Sequence, residues 1–594
     1  MGICVSRMTL VFFLILVSCL SGWTQAKPDP SRFDGPAELP RVYVKTALSD
    51  TPAPGKSILV KTAPELNQAL DKAACGDTIR LQAGTEFAGL FKFPAKPCDD
   101  GHWIILRTSA DDADLPPEGT RISPCYAGIA SLPGRPEYRC ASSRNVMARI
   151  VYDKKGVGPL SFLDGANHYR FIGLEITRSS PGEAIYNLAG FARDAVGDHL
   201  VFDRVWMHGT AQDETTRGLA LGRSRHVAVV DSYLNDFHCV AKTGTCIDAQ
   251  TITGGLGSGE MGPYKIVNNF LEAAGENIIF GGGAATTSPA DIEIRRNYMF
   301  KPLTWREGSP GFVGGTSGKP FIVKNLFELK NAQRVLLEGN VMENSWGGFS
   351  QAGFAILLTP KNQNNQCPSC RVTDVVIRFN RVSHMGSGMT MGTGLSDAGG
   401  AASGGERYSI HDNIFDDIDG KSYGGFGAFA QVSSMQPTLR DIRISHNTAF
   451  APRTVFILGV GVDREKIANF EFTDNLISVG EADIFPTGGG DKNCAFRPRV
   501  QGPANVVKNC FANAAVTGNV FVGSDKGWPN GNFYAKDADS VVEDFRGGRA
   551  GNYRLCRSKA SHCKKAVPFA GSSAGGRDPG ADVDAVNSAT AGVA

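Results

Sequence analysis

Leu337-Glu338-Gly339-Asn340-Val341 and Ile377-Arg378-Phe379-Asn380-Arg381 carry the same short phrase: an apolar beat at alternate positions, a polar step, and an asparagine. The phrase returns as Ile266-Val267-Asn268-Asn269-Phe270, Ile294-Arg295-Arg296-Asn297-Tyr298, Ile410-His411-Asp412-Asn413-Ile414, Ile444-Ser445-His446-Asn447-Thr448, Phe472-Thr473-Asp474-Asn475-Leu476 and Val516-Thr517-Gly518-Asn519-Val520. The spacing varies from 28 residues (Asn269 to Asn297) to 44 (Asn475 to Asn519). Phe171-Ile172-Gly173-Leu174, Phe202-Asp203-Arg204-Val205 and Val229-Val230-Asp231-Ser232 keep the apolar beat without the asparagine.

Period-2 alternation over four or five residues predicts strands, and the intervening pieces hold further short strands with glycine corners. Helical repeats would show 3.6-residue stripes and few β-branched residues. A propeller would need evenly sized blades, whereas irregular intervals suit loops of variable length between stacked coils. Each asparagine amide is expected to bond backbone groups and the asparagines above and below it, and its tolerance of left-handed backbone angles is expected to permit the bend.

Composition agrees with one long repeat architecture. The chain has 594 residues with 71 glycines, is 42% hydrophobic and 20% charged, and so is neither a disordered tail nor a membrane bundle. Sixty-one Lys and Arg against 59 Asp and Glu leave no basic field for nucleic acid, and any anionic partner must meet a local patch. Residues 1–26, with Arg7, the apolar run Thr9–Val17 with Leu20 just beyond, and a small polar stretch ending Thr24-Gln25-Ala26, read as a secretory signal too short to serve as a spanning anchor. Leu16-Val17-Ser18-Cys19 offers the alternative of a lipobox acylated at Cys19. Secretion, the periplasm or the cell surface is the expected location, with no transmembrane segment. Twelve of the 14 cysteines, those beyond Cys4 and Cys19, favour disulfides in that setting. Neighbour pairing gives Cys75/Cys98, Cys125/Cys140, Cys239/Cys246, Cys367/Cys370, Cys494/Cys510 and Cys556/Cys563, although spacing does not fix connectivity. Cys367-Pro-Ser-Cys370 reads as a loop clip, because zinc would need two further soft ligands.

With these phrases in place, the chain resembles the right-handed parallel β-helix proteins of the pectate-lyase-like superfamily. The resemblance implies an all-β, single-stranded right-handed solenoid with a short N-terminal capping helix, formed by Ala63-Pro64-Glu65-Leu66-Asn67-Gln68-Ala69-Leu70. Leu66, Ala69 and Leu70 share one helical face independently of any resemblance. The expected organisation is a signal over 1–26, a linker over 27–56, a cap and first coils over 57–150, the main coils over 151–524, and a last coil with C-terminal cap over 525–594. Gly551-Asn552-Tyr553-Arg554-Leu555 and Gly580-Ala581-Asp582-Val583-Asp584 resemble a closing coil. Such a rod offers a lateral groove suited to a linear polymer, and a monomer is expected.

Residues 301–363 are richest in chemistry. Lys301, Trp305, Arg306, Lys324, Glu328, Lys330, Asn331, Trp346, Gln351, Lys361 and Asn362 combine cations, indoles and amides across neighbouring coils, as recognition of a uronate would require. Alternation places Lys324, Leu326, Glu328 and Lys330 on one, solvent-facing side and Asn325, Phe327, Leu329 and Asn331 on the other. One reading is a solvated row with an ion pair. The other is β-elimination, in which a base takes the proton α to the carboxyl, a cation neutralises the enolate and a donor protonates the leaving oxygen. Lys330, Lys324, Arg306 and Glu328 are the catalytic candidates. Lys301, Trp305, Asn331, Trp346, Gln351, Lys361 and Asn362 are the substrate-binding candidates.

The Glu328-Leu329-Lys330-Asn331 phrase is similar to the lysine-bearing strand of alginate-lyase and chondroitinase-B type enzymes. That resemblance implies Lys330 as base and brings in calcium as a candidate cofactor. Here only one acid lies near the lysine, and Thr359-Pro360-Lys361-Asn362 stands where that family carries Arg-His-Gly. A glycoside hydrolase would need two carboxylates spaced across the bond, and Asp412, Asp416, Asp417, Asp419 and Asp441 read instead as solvated turn residues. His208, His226, His238, His384, His411 and His446 read as satisfied polar residues, none with a second histidine at metal-ligand spacing. The leading expectation is a polysaccharide lyase acting on an acidic polysaccharide, against a non-catalytic glycan-binding or adhesin-like surface protein, or a hydrolase on the same scaffold.

Overall fold

The computed structural model describes residues 30–594 except 139, 141, 241–247, 350, 451, 525–526 and 560–562. The expected signal, Cys19 and Cys246 lie outside the described residues. Three long sheets, of 15, 14 and 12 strands, run the length of the molecule, and every neighbouring pair within them is parallel where paired along the main path. Each coil gives one strand to each sheet: Ala332–Glu338, Val341–Ser345 and Phe354–Leu358 form one turn, and Arg371–Arg378, Arg381–Met385 and Ser387–Gly392 the next. The molecule is a right-handed parallel β-helix. With strands about 4.8 Å apart, the 14 strands along the first sheet span on the order of 60 Å.

The repeated phrase is the corner between the first and second sheets. Leu337, Ile377, Ile410 and Ile444 stack in register, followed by Phe472 and Val516, all pointing into one continuous core. Beside them the asparagine ladder is unbroken. Amide Nδ2 groups donate to the next Oδ1 from Asn269 to Asn297 (3.0 Å), and on through Asn340, Asn380, Asn413, Asn447, Asn475 and Asn519 to Asn532 (2.9 Å). Each Oδ1 also accepts a backbone N–H from the preceding asparagine, so the corner leaves no amide unpaired where water is absent. On the coils without asparagine, Ser232 continues the row, accepting from Val205 N and donating its own N–H to Asn269 Oδ1.

One expectation is corrected here. The bend is made not by the asparagine but by the residue before it: Asn268, Arg296, Gly339, Phe379, Asp412, His446, Asp474 and Gly518 have φ between 51° and 72°. The asparagine side chain reaches its neighbours from ordinary backbone, and the left-handed step is taken by whatever precedes it.

Thr62 N-caps the helix Ala63–Lys72, accepting from Glu65 N at 3.3 Å, and Leu66, Ala69 and Leu70 close the first coil. The segment expected as a linker is instead a strap along the outside of the first sheet. Asp34 meets Arg378, Ser409 and His411, Arg41 N meets Asp291, and Val44 packs with Trp103, Val201 and Ala228. The C-terminal stretch also differs from a closing coil. Asn552–Leu555 pairs antiparallel with Val542–Asp544, and the helix Val583–Thr590, N-capped by Asp582, lies back against the second sheet through Val583 and Val586. Among the described residues, disulfides join Cys75–Cys98, Cys125–Cys140, Cys367–Cys370, Cys494–Cys510 and Cys556–Cys563. Among the described residues no helix is long and apolar enough to cross a membrane.

Candidate functional site

On the third sheet, Ile278 pairs with Phe327 and Phe280 with Leu329, all four buried in the core, which leaves Glu328 on the outer face beside Ile279. The strand is only Phe327–Leu329, so alternation does not extend back to Lys324. Leu326 accordingly turns inward with Phe327, and its carbonyl accepts from Asn277 N and Ile278 N. Asn325 lies with the charged residues, its Nδ2 donating to Glu328 Oε2 at 2.8 Å. The expected solvent-facing row is therefore a half-sunken cluster: Glu328 is buried, while Lys324 and Lys330 keep 10% and 20% of their side chains exposed.

Acids from earlier coils complete it. Arg217, Gln250 and Glu276 are in register on three successive strands, with Arg217 Nε donating to Gln250 Oε1 (2.8 Å) and Gln250 Nε2 to Glu276 Oε2 (2.9 Å). Lys324 Nζ lies 3.2 Å from Asp248 Oδ2 and 3.6 Å from Glu276 Oε1, and Lys330 Nζ lies 2.9 Å from Glu328 Oε1. Burial, then the hydrogen-bonded Asp248 carboxyl, pushes Glu276 up to about 7. Burial also raises Glu328. Desolvation opposes charge on both lysines, but Glu276 and Asp248 outweigh it at Lys324 and Glu328 and Glu276 outweigh it at Lys330, so both are held above the usual lysine range. The acidic neighbours of Lys330 thus favour its ammonium form over the neutral amine that a base requires.

Exposed Phe349, at 56%, presents its ring 5.9 Å from Lys324 Nζ, on the turn between Gly347–Gly348 and Gln351–Ala352. Asp248, Glu276, Gln250, Arg217 and Phe349 were not among the sequence candidates.

The other candidates scatter. Lys301 is fully buried, donating to Ala273 O (2.6 Å), Gly275 O (2.5 Å) and Asn277 Oδ1 (3.0 Å), and burial pulls it down to about 7. Trp305 and Trp346 pack with Val240, Phe321 and Val323 in an apolar cluster, so their indoles are not available to stack on sugars. Arg306 stands at the edge, 5.9 Å from the Tyr423 ring. Asn331 donates to Gly255 O and Thr287 O, and Asn362 to Ala401 O while accepting from Cys367 N, which makes both of them loop supports. Lys361 Nζ donates to Leu395 O at 2.8 Å, and Gln351 is half-buried in the short hairpin.

The residues do not fit calcium, because Asp248 and Glu276 face the Lys324 ammonium and Glu328 is taken up by Lys330 and Asn325. The aspartates weighed for hydrolysis are engaged elsewhere and are not merely solvated: Asp412 with His411 and Arg577, Asp416 with Arg381, and Asp417 with Arg549 and Tyr423. Asp419 caps a helical turn, and Asp441 accepts from Asn469. The histidine expectation fails at His226, which stacks on His199, which in turn stacks on His168.

No family model matches the chain, and no curated protein matches it. Among solved structures, it is similar to the alginate lyase from Paenibacillus sp. str. FPU-7 (14% identity over 73% of this chain and 96% of that one, TM-score 0.32) and to pectate lyase Pel9A (12% over 90% and 97%, TM-score 0.31). A mannuronic acid specific polysaccharide family 6 lyase from human gut microbiota aligns at 12% identity over 80% and 88%, with a TM-score of 0.42. At these scores the sheet register of this chain, not the likeness, carries the fold.

Proposed function

We propose that this is an exported carbohydrate-active protein that binds a uronate-containing polysaccharide along the third sheet and cleaves it by β-elimination. The observation that carries this reading is the pair of protonated lysines, Lys324 and Lys330, anchored by buried acids beside exposed Phe349. Two fixed ammonium groups on a partly desolvated surface suit a sugar carboxylate and, more strongly, the enolate that develops from it. Phe349 supplies an apolar face for a sugar ring.

In the proposed chemistry, the uronate carboxylate sits on Lys324 and Lys330. The carboxylate of partly exposed Asp248, hydrogen-bonded to Glu276, takes the α proton. The bond to the leaving oxygen then breaks with its electron pair on oxygen, a C=C bond forms next to the carboxylate, and water protonates the oxygen. No step passes through a metal. The disulfides among the described residues support an oxidising compartment for such a protein.

Replacing Lys324 or Lys330 by alanine is expected to abolish elimination while the far-ultraviolet dichroism of the β-helix is retained. Undiminished turnover in both variants would remove them from the site. The tight hold on the Lys330 proton favours a second reading, a non-catalytic glycan-binding surface. Retention of wild type on a uronate-polymer column without any product would select it.

A further inference from the structure

The third sheet continues well beyond the lysine cluster. In register with Glu328, its outward row runs through Leu357, Thr390, Gln431 and Ile457 to Phe485, between flanking residues that point into the core. At about 4.8 Å per strand, the five steps place Phe485 about 24 Å from Glu328 along the rod. The four residues between them carry no charge.

At Phe485 the pairing of ring and cation seen at Phe349 and Lys324 returns. The Arg453 guanidinium lies 4.8 Å from the ring centroid and that of Arg497 lies 4.3 Å from it. Both arginines are exposed, and Phe485 is half-buried. Arg453 Nε donates to Glu481 Oε2 (2.6 Å), and Arg497 Nη2 donates to Ile484 O (3.2 Å). Among the described residues Arg497 meets no carboxylate, which leaves the rest of its fork open to one.

The rims between the two clusters are apolar. Beyond Leu303, the exposed large hydrophobic side chains among the described residues are Phe349, Phe426, Met435 and Val462. Phe349 and Phe426 shortly precede the third-sheet strands Phe354–Leu358 and Ala428–Ser434, Met435 directly follows the latter, and Val462 follows Thr454–Val460. Apolar side chains gathered along both rims of one sheet suit a ligand that presents apolar faces repeatedly, as the C–H faces of successive sugar rings do.

We propose that Arg453, Phe485 and Arg497 form a second uronate-binding site on the third sheet, so that one polymer chain is held at two points about 24 Å apart. This rests on the reading of Lys324, Lys330 and Phe349 as the first site. Once a chain is bound at one site, capture at the other is intramolecular, so a chain long enough to reach both gains affinity that a shorter one lacks. The uncharged row between them sets no acid against the carboxylates of the intervening sugars.

The test is calorimetric titration of oligogalacturonates and oligomannuronates, from trimer to decamer, into the full chain carrying Asp248→Asn, which lacks the proposed base. Affinity is expected to rise abruptly, by about tenfold or more, at the length that first spans both sites. Adding Arg453→Ala and Arg497→Ala, both at exposed positions, should remove that rise while the trimer still binds at the first site. Trimer binding with no rise at any length, or a rise that persists in the arginine variant, would overturn the second site alone. No binding of any oligomer would overturn both it and the reading of the first site.

Discussion

Asn380 shows what one residue does in this fold. Its Oδ1 accepts from Asn340 N and Nδ2, and its Nδ2 donates to Leu337 O and Asn413 Oδ1, with the side chain fully buried. Asn380→Ala leaves buried amide groups without partners and is expected to cost about 1–3 kcal/mol for each group orphaned. A melting temperature equal to wild type would show that water replaces the amide. Glu276 gives a pH signature. Its folded value, about 7, lies above its ordinary one, so between those two values the folded state holds a proton that the unfolded chain has lost. Its contribution is greatest at the acid end and is lost as pH rises through about 7. The fall in stability from pH 5 to pH 8 should therefore be smaller in Glu276→Gln, and an unchanged profile would contradict the assignment. Phe349→Ala should raise KM with little change in kcat if the ring acts as a sugar platform, as uniform binding requires.

Among elements, the repeated phrase was legible because a corner needs the same amide at every level, and register then follows from the apolar residue three places earlier. Leu326 and Asp248 were not legible for a common reason. The third-sheet strand Phe327–Leu329 is only three residues long, and strands of that sheet are reached through loops of unequal length, so neither alternation nor a fixed offset from the asparagine reveals which residues meet. Glu276 lies seven residues after its ladder asparagine, whereas Phe354 begins its strand of the same sheet 14 residues after Asn340. Asn532, the last rung, was missed because only 13 residues separate it from Asn519. The strap of residues 33–50 carries no periodic signal, since it crosses coils instead of forming one. Its anchor is Asp34, held down to about 2, against its burial, by His411, Ser409 and Arg378. Asp34→Ala is expected to open residues 33–46 to limited proteolysis at neutral pH, and protection equal to wild type would place the anchor elsewhere, in the Val44–Trp103 contact.

At the scale of the molecule, near-neutral composition reflects charges that are mostly consumed in pairs between successive coils, such as Arg334 with Asp291 and Arg407 with Asp374. Among the described residues, the strap of residues 33–50 and the C-terminal helix are both folded back on the rod. Arg121 and Arg296 hold the carbonyls of Val593, Ala589 and Ala591, and the strap covers the first sheet. Among the described residues the third sheet carries neither covering, and the proposed polymer site of Lys324, Lys330 and Phe349 lies on that face. Incubating the wild-type protein with alginate, pectate, glucuronan and glycosaminoglycans, and following the ultraviolet absorbance of unsaturated uronate ends, tests this account most directly. Absorbance that rises with time on one of these polymers is the predicted result. New reducing ends with no absorbance, or no product from any uronate polymer, would contradict it.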